Sequence, residues 1–101
     1  VVLNILPIIQ AAVESEGASI DLVLSRDRHQ TTSRARACAV WLTFKLHNVS
    51  FREIAKAFGL RSHFAVSSSI EAHERRMMAD DQMRDRSMRI IERFEGQKRA
   101  A

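Results

Sequence analysis

The stretch Ser50-Phe51-Arg52-Glu53-Ile54-Ala55-Lys56-Ala57-Phe58-Gly59-Leu60-Arg61-Ser62-His63-Phe64 reads as a capped helix, a tight turn and the opening of a second helix. Ser50 and Glu53, three residues apart, form a capping box that satisfies the first free amides of a helix. Ile54 and Phe58 then recur at helical spacing, which predicts two apolar-faced turns over 51–58. Gly59 ends that helix, because glycine takes the left-handed conformation of a C-terminal cap without penalty. Leu60 and Arg61 carry the turn, and a helix from Ser62 to about 79 places Val66, Ile70, His73 and Met77 on its inner face. A short capped helix, a glycine turn and a longer helix opening on small and polar groups have the grammar of a helix-turn-helix.

Working outward, the remaining chain is also helical. The spacing predicts a helix over 4–16, with Pro7 in its first turn, and a short one over 20–24 capped by Ser19 and anchored by its leucines. Residues 26–31 read as a polar, basic loop, after which Thr32 or Ser33 caps a long helix to Leu46 carrying Cys38, Leu42 and Leu46 along one face. His47-Asn48-Val49 is a break, and Asp80 or Asp81 caps a last helix to about 95 with Met88, Ile91 and Phe94 as its apolar positions. Strand-like alternation and hairpin turn dipeptides are missing. The fold class is therefore all-α, a compact helical domain over residues 1–96 with 97–101 as a frayed tail.

With 101 residues, the chain has the size of one domain with one core. Its single cysteine, Cys38, excludes an intrachain disulfide and a four-cysteine zinc site, and fits a reducing, cytoplasmic setting. The apolar runs at 1–9 and 37–42 fall well short of the about 20 residues that span a bilayer, and the opening run has no signal-peptide flanks.

Charge is distributed unevenly. Thirteen of the sixteen basic residues are Arg, and the net charge is +4. Residues 1–24 carry −3, residues 25–63 carry +6, and residues 64–101 carry +1. A basic middle suits a polyanion, either nucleic acid or an acidic membrane surface. Read as a DNA-binding helix-turn-helix, the second helix enters the major groove N-terminus first, with its early residues at base edges and its first amides at a phosphate. Those early exposed residues are Arg61, Ser62, His63, Phe64 and Ser67.

Catalysis finds little support. No Gly-rich phosphate loop is present, and His63 and Ser67, four apart on one helix, have no acid placed to orient the imidazole. No two histidines sit three or four apart, so no metal site is expected and no cofactor is implied. Cys38 reads as a buried inert thiol, His73 as a partly buried structural residue, and Trp41 as core edge. The Met77-Met78 pair with Met83 and Met88 reads as core filler between the last two helices, and the alternating charges over 74–93 as a solvated face.

Residues 20–73 resemble the C-terminal DNA-binding domain of the DnaA family of bacterial replication initiators, in the Trp-repressor-like helix-turn-helix group. The resemblance rests on Ser25-Arg26-Asp27-Arg28, on Arg34-x-Arg36 with Leu42 and Leu46, on Asn48-x-Ser50-x-x-Glu53-Ile54, and on Phe58-Gly59-x-Arg61-x-His63-x-x-Val66. It implies that Arg28 reaches into the minor groove and that Arg36 reads a base in the major groove, with Arg26, Arg34 and Ser50 in the same DNA-binding set. The family's Arg-Asp-His-Thr-Thr signature falls on Arg61-Ser62-His63-Phe64-Ala65, so its acid and both threonines are replaced, and Ala37 stands where the family commonly has Gln. Each lost base contact removes about 1–3 kcal/mol of discrimination. Ser62 is a weak acceptor for cytosine's amino group, and an exposed Phe64 ring packs on thymine methyls.

The resemblance thus implies a non-enzymatic domain that binds double-stranded DNA, in the cytoplasm and on the nucleoid, regulating replication or transcription without ATPase activity. The alternative is a protein–protein module on the same fold that has lost base reading and acts on the replication machinery through a Phe64-centred patch. A membrane role and a small-molecule substrate are not expected.

Overall fold

A computed structural model describes residues 4–24 and 30–100, apart from the side chains at 22, 24 and 97–100. The helices among them are α1 (Leu6–Glu16), α2 (Ile20–Leu24), α3 (Gln30–Leu46), α4 (Phe51–Phe58), α5 (His63–Ala79) and α6 (Asp81–Ala100). No strand occurs among the described residues.

α3 is the axis of the molecule, packed by each of the other five helices. Its run Ala37-Cys38-Ala39-Val40-Trp41-Leu42-Thr43 is buried throughout, so this helix has no solvent face over two turns. The lone hydroxyl in that run is satisfied locally, Thr43 Oγ1 donating to the Ala39 carbonyl at 2.9 Å. Around it close Ile8, Ile9, Ala12 and Val13 of α1, Val23 of α2, Ile54 and Phe58 of α4, Val66 and Ile70 of α5 and Ile91 of α6. Burying so many branched side chains contributes about 1.5–3 kcal/mol each, which outweighs the modest helix propensity of the β-branched members.

Two glycines end helices, Gly59 among them as the sequence predicts. Gly17 (φ 70°) closes α1 and Gly59 (φ 68°) closes α4. At Gly59 the geometry is a Schellman motif: the Leu60 amide donates to the Ala55 carbonyl at 2.8 Å and the Gly59 amide to Lys56 at 3.3 Å. Ser50 Oγ accepts from the Glu53 amide at 3.2 Å, and Asp80 Oδ1 accepts from Gln82 and Met83 at 3.0 and 3.2 Å.

Several expectations are corrected. α3 is already helical at Gln30, so Thr32 and Ser33 lie inside it; Thr32 is buried, and its side chain extends the packed face by a turn instead of capping. Trp41 is 3% exposed and belongs to the core, not its edge. His73 is fully buried, where the sequence suggests partial burial. On α6 the inward positions are Met83, Ser87 and Ile91, with Met88 turned to solvent, and Met78 is also exposed. α6 runs through Gly96 to Ala100 rather than ending near 95, because an exposed mid-helix glycine costs only about 1 kcal/mol. For α2, Val23 provides the described anchor; the leucines' side chains lie outside the described residues.

Candidate nucleic-acid interface

The turn between α4 and α5 is built from Gly59 to Ser62. Ser62 is the N-cap of α5, with an extended backbone (φ −154°, ψ 165°) and no side-chain capping bond. The first amides of α5 therefore lack a capping side chain. Val66 and Ile70, buried, key the helix into the core, and that register turns His63, Phe64 and Ser68 outward.

Phe64 is 72% exposed, unusual for a large ring on a small domain. It stacks on its neighbour: the His63 and Phe64 rings lie 4.7 Å apart between centroids at 27°. Beside the pair, Arg61, Ser62 and His63 line an open concavity of about 350 Å³ with Arg52, Ala55, Lys56 and Leu60. Arg52, Lys56 and Arg61 are exposed, and the sequence from Ile54 to Ile70 contains no acid. The face is thus cationic, walled by the Arg52–Lys56 side of α4 and floored by the turn.

The other residues of the expected site are distributed as follows. Arg34 is exposed on the second turn of α3. Arg36 is half-buried, and its Nε donates to the Val23 carbonyl at 3.0 Å, tying α3 to the C-terminal end of α2. Ser50 caps α4 at the end away from the turn, about 12 Å of helix from Gly59. Ser67 is half-buried, whereas Ser68, one residue on, is exposed and lies one turn from Phe64. Arg26 and Arg28 lie outside the described residues. Arg52 and Lys56, at i and i+4 on α4, escaped the sequence reading; their spacing on the face opposite Ile54 and Phe58 was the available signal.

Behind this face α5 is held by buried polar contacts. Glu16 Oε2 accepts from Arg76 Nη2 at 3.1 Å, and Glu16 Oε1 lies 3.0 Å from the same nitrogen, close enough for charge attraction but off-axis for a hydrogen bond. The pair joins α1 to α5. His73 Nε2 lies 2.9 Å from Ser87 Oγ, joining α5 to α6, and its ring sits 5.1 Å from that of Trp41. Burial lowers His73 to about 4, with Arg76 adding to the effect. Burial likewise pushes the Cys38 thiol up to about 12, the Glu16 carboxylate adding to it, which leaves a neutral, unreactive thiol. No group of three or more metal-ligating side chains occurs among the described residues, and none of their helices is long and apolar enough to cross a membrane.

A short capped helix, a glycine turn and a long helix, both helices packed on the central α3, define a helix-turn-helix domain. The family model for the bacterial dnaA protein helix-turn-helix matches residues 5–72. The chain belongs to that family. It is 36% identical over 62 residues to the chromosomal replication initiator protein DnaA of Nautilia profundicola, covering 61% of this chain and 14% of that protein. Against the chromosomal replication initiator protein DnaA of Thermodesulfovibrio yellowstonii it is 34% identical over 91 residues, covering 89% of this chain and 21% of that protein. The chain therefore corresponds to about a fifth or less of the length of these relatives.

Proposed function

We propose that this domain binds double-stranded DNA through the face formed by α4, the 59–62 turn and the start of α5. The observation that carries the reading is the acid-free, cationic concavity of Arg52, Lys56 and Arg61 beside the uncapped start of α5. In this docking α5 enters the major groove, with Arg61, Ser62, His63 and Phe64 toward base edges, the half-buried Ser67 behind its exposed neighbour Ser68, and the α5 amides at a phosphate. The basic segment with Arg26 and Arg28 supplies the minor-groove contact, Arg34 follows the backbone, and Arg36, tied to the Val23 carbonyl, is the reader of a base in the major groove that the resemblance implies. Ser50 contributes a hydroxyl at the far end of α4.

The domain acts on the nucleoid as a regulator at replication or transcription sites, with binding rather than catalysis as its contribution. Membership in a replication-initiator family and the survival of Arg61 and His63 support this. The second reading, a contact with a replication protein, draws on the exposure of Phe64.

Fluorescence anisotropy of a labelled initiator-box duplex and a scrambled duplex, each at two salt concentrations, tests the proposal. Salt-sensitive binding is expected for both, tighter for the box if Arg28, Arg36, Arg61 and His63 suffice to read it. No binding to either at low salt would overturn the DNA reading and favour the protein partner.

A further inference from the structure

We infer that the stacked His63–Phe64 pair is a platform on which an unpaired nucleobase of the bound DNA stacks. The inference rests on the DNA-binding reading above and deepens it, because the ring meets the face of a base where the other contacts meet edges and phosphates. His63 and Phe64 are the first two residues of α5, and their rings lie 4.7 Å apart at 27°, nearly parallel. Phe64 is nevertheless 72% exposed, more than a ring covered on both faces would leave. One face is braced by His63 and the other is open. Holding the ring in advance lowers the entropy lost when a further ring stacks on it.

Charge and geometry together define the occupant. His63 also lines the concavity with Arg52, Lys56 and Arg61, so the open ring adjoins a cationic surface that suits a polyanion rather than an apolar peptide. Cations beside an exposed aromatic ring are the recurring arrangement for binding nucleic-acid bases whose faces are free. The grooves of a paired duplex present base edges, while each base face is covered by its neighbours in the stack. Arg61 and the ring nitrogens of His63 serve those edges, whereas the open face of Phe64 has no match there. A base that lies outside the stack supplies it. Turning a paired base out of the duplex costs about as much as one stacking contact returns, so the domain selects bases already unpaired instead of extruding them.

The test uses the domain and three labelled duplexes of one sequence: fully paired, with one extra adenine bulged from a strand, and with an abasic residue in place of that adenine. The two bulged duplexes share the interruption of the stack and differ by the base alone. Anisotropy titrations should show at least about fivefold tighter binding to the adenine bulge than to the abasic one, the lower end for one base–aromatic stacking contact. Phe64→Leu keeps an apolar side chain without a ring face, and its ratio should fall to about one. Phe64→Trp should keep the preference, with circular dichroism checking the fold of both variants. Salt-sensitive binding with equal affinity for the two bulges would overturn the inference and leave the DNA-binding reading standing. A preference undiminished in Phe64→Leu would place the stacking contact elsewhere and overturn it too. Absence of binding to all three duplexes at low salt would remove both readings together.

Discussion

His73 of α5 and Ser87 of α6 meet at 2.9 Å through Nε2 and Oγ, and Ser87 Oγ in turn donates to Met83 Sδ at 3.7 Å. With Ser87 Oγ donating to Met83, the contact assigns the proton to His73 Nε2, leaves Nδ1 unprotonated and without a hydrogen-bond partner, and sets the neutral ring against Trp41. It also makes the helix expected to read DNA dependent on the protonation of a buried imidazole.

Because the folded His73 titrates near 4 and an unfolded one near 6.5, the unfolded chain binds the extra proton across that interval. The sign follows: His73 contributes full stability above about pH 6.5, and that contribution is lost as the pH falls toward 4, amounting to about 3 kcal/mol. Urea unfolding of the wild type and of His73→Gln across this window should show a steeper acid slope for the wild type. Parallel slopes would mean that His73 is not held neutral.

Glu16 is nearly buried and faces Arg76, whose side chain is 25% exposed. Replacing Glu16 with Gln leaves the guanidinium without its counter-charge and should lower stability by about 2 kcal/mol, less than the loss from a fully enclosed pair. A double-mutant cycle with Arg76→Gln measures the coupling. A coupling near zero would show that α1 is held to α5 by apolar packing alone.

Gly59 and Gly96 should respond with opposite signs to alanine. Gly59 sits at φ 68°, so Gly59→Ala should cost about 1 kcal/mol through strain, since its Cβ would meet nothing within 4 Å. Gly96 lies inside α6 with no positive φ, and its Cβ is equally unobstructed, so Gly96→Ala should stabilise by about 0.5–1 kcal/mol. Thermal unfolding of the two variants decides this; a shared sign would contradict the assigned conformations.

The helix-turn-helix was legible because its punctuation is local: Ser50, Glu53 and Gly59 act within one or two turns. The α6 register was not. A serine on the buried stripe reads as a surface residue until His73, fourteen positions away in sequence, supplies its partner. Hydrophobicity alone ranks Met88 above Ser87 for the inward place. Trp41 reads as core edge for a similar reason, as no sequence pattern shows that α3 is enclosed on all sides. At the candidate interface, the α5 residues were recognisable from their order along one helix. Arg52 and Lys56 required the turn geometry that folds α4 back beside Arg61. Of the Glu16–Arg76 pair, sixty residues apart, Arg76 lies in the 74–93 segment whose alternating charges suggest only solvated contacts, and Glu16 lies far outside it on α1.

The most direct measurement is the salt dependence of duplex affinity for the wild type and for the triple variant Arg52→Gln, Lys56→Gln, Arg61→Gln. Each cation that neutralises a phosphate contributes about 0.9 to the slope of log affinity against log salt. If the α4–α5 face is the DNA-binding surface, the variant should bind more weakly at every salt concentration and lose about 2 to 3 from that slope. A folded variant with unchanged affinity and slope would contradict the assignment of this face to DNA.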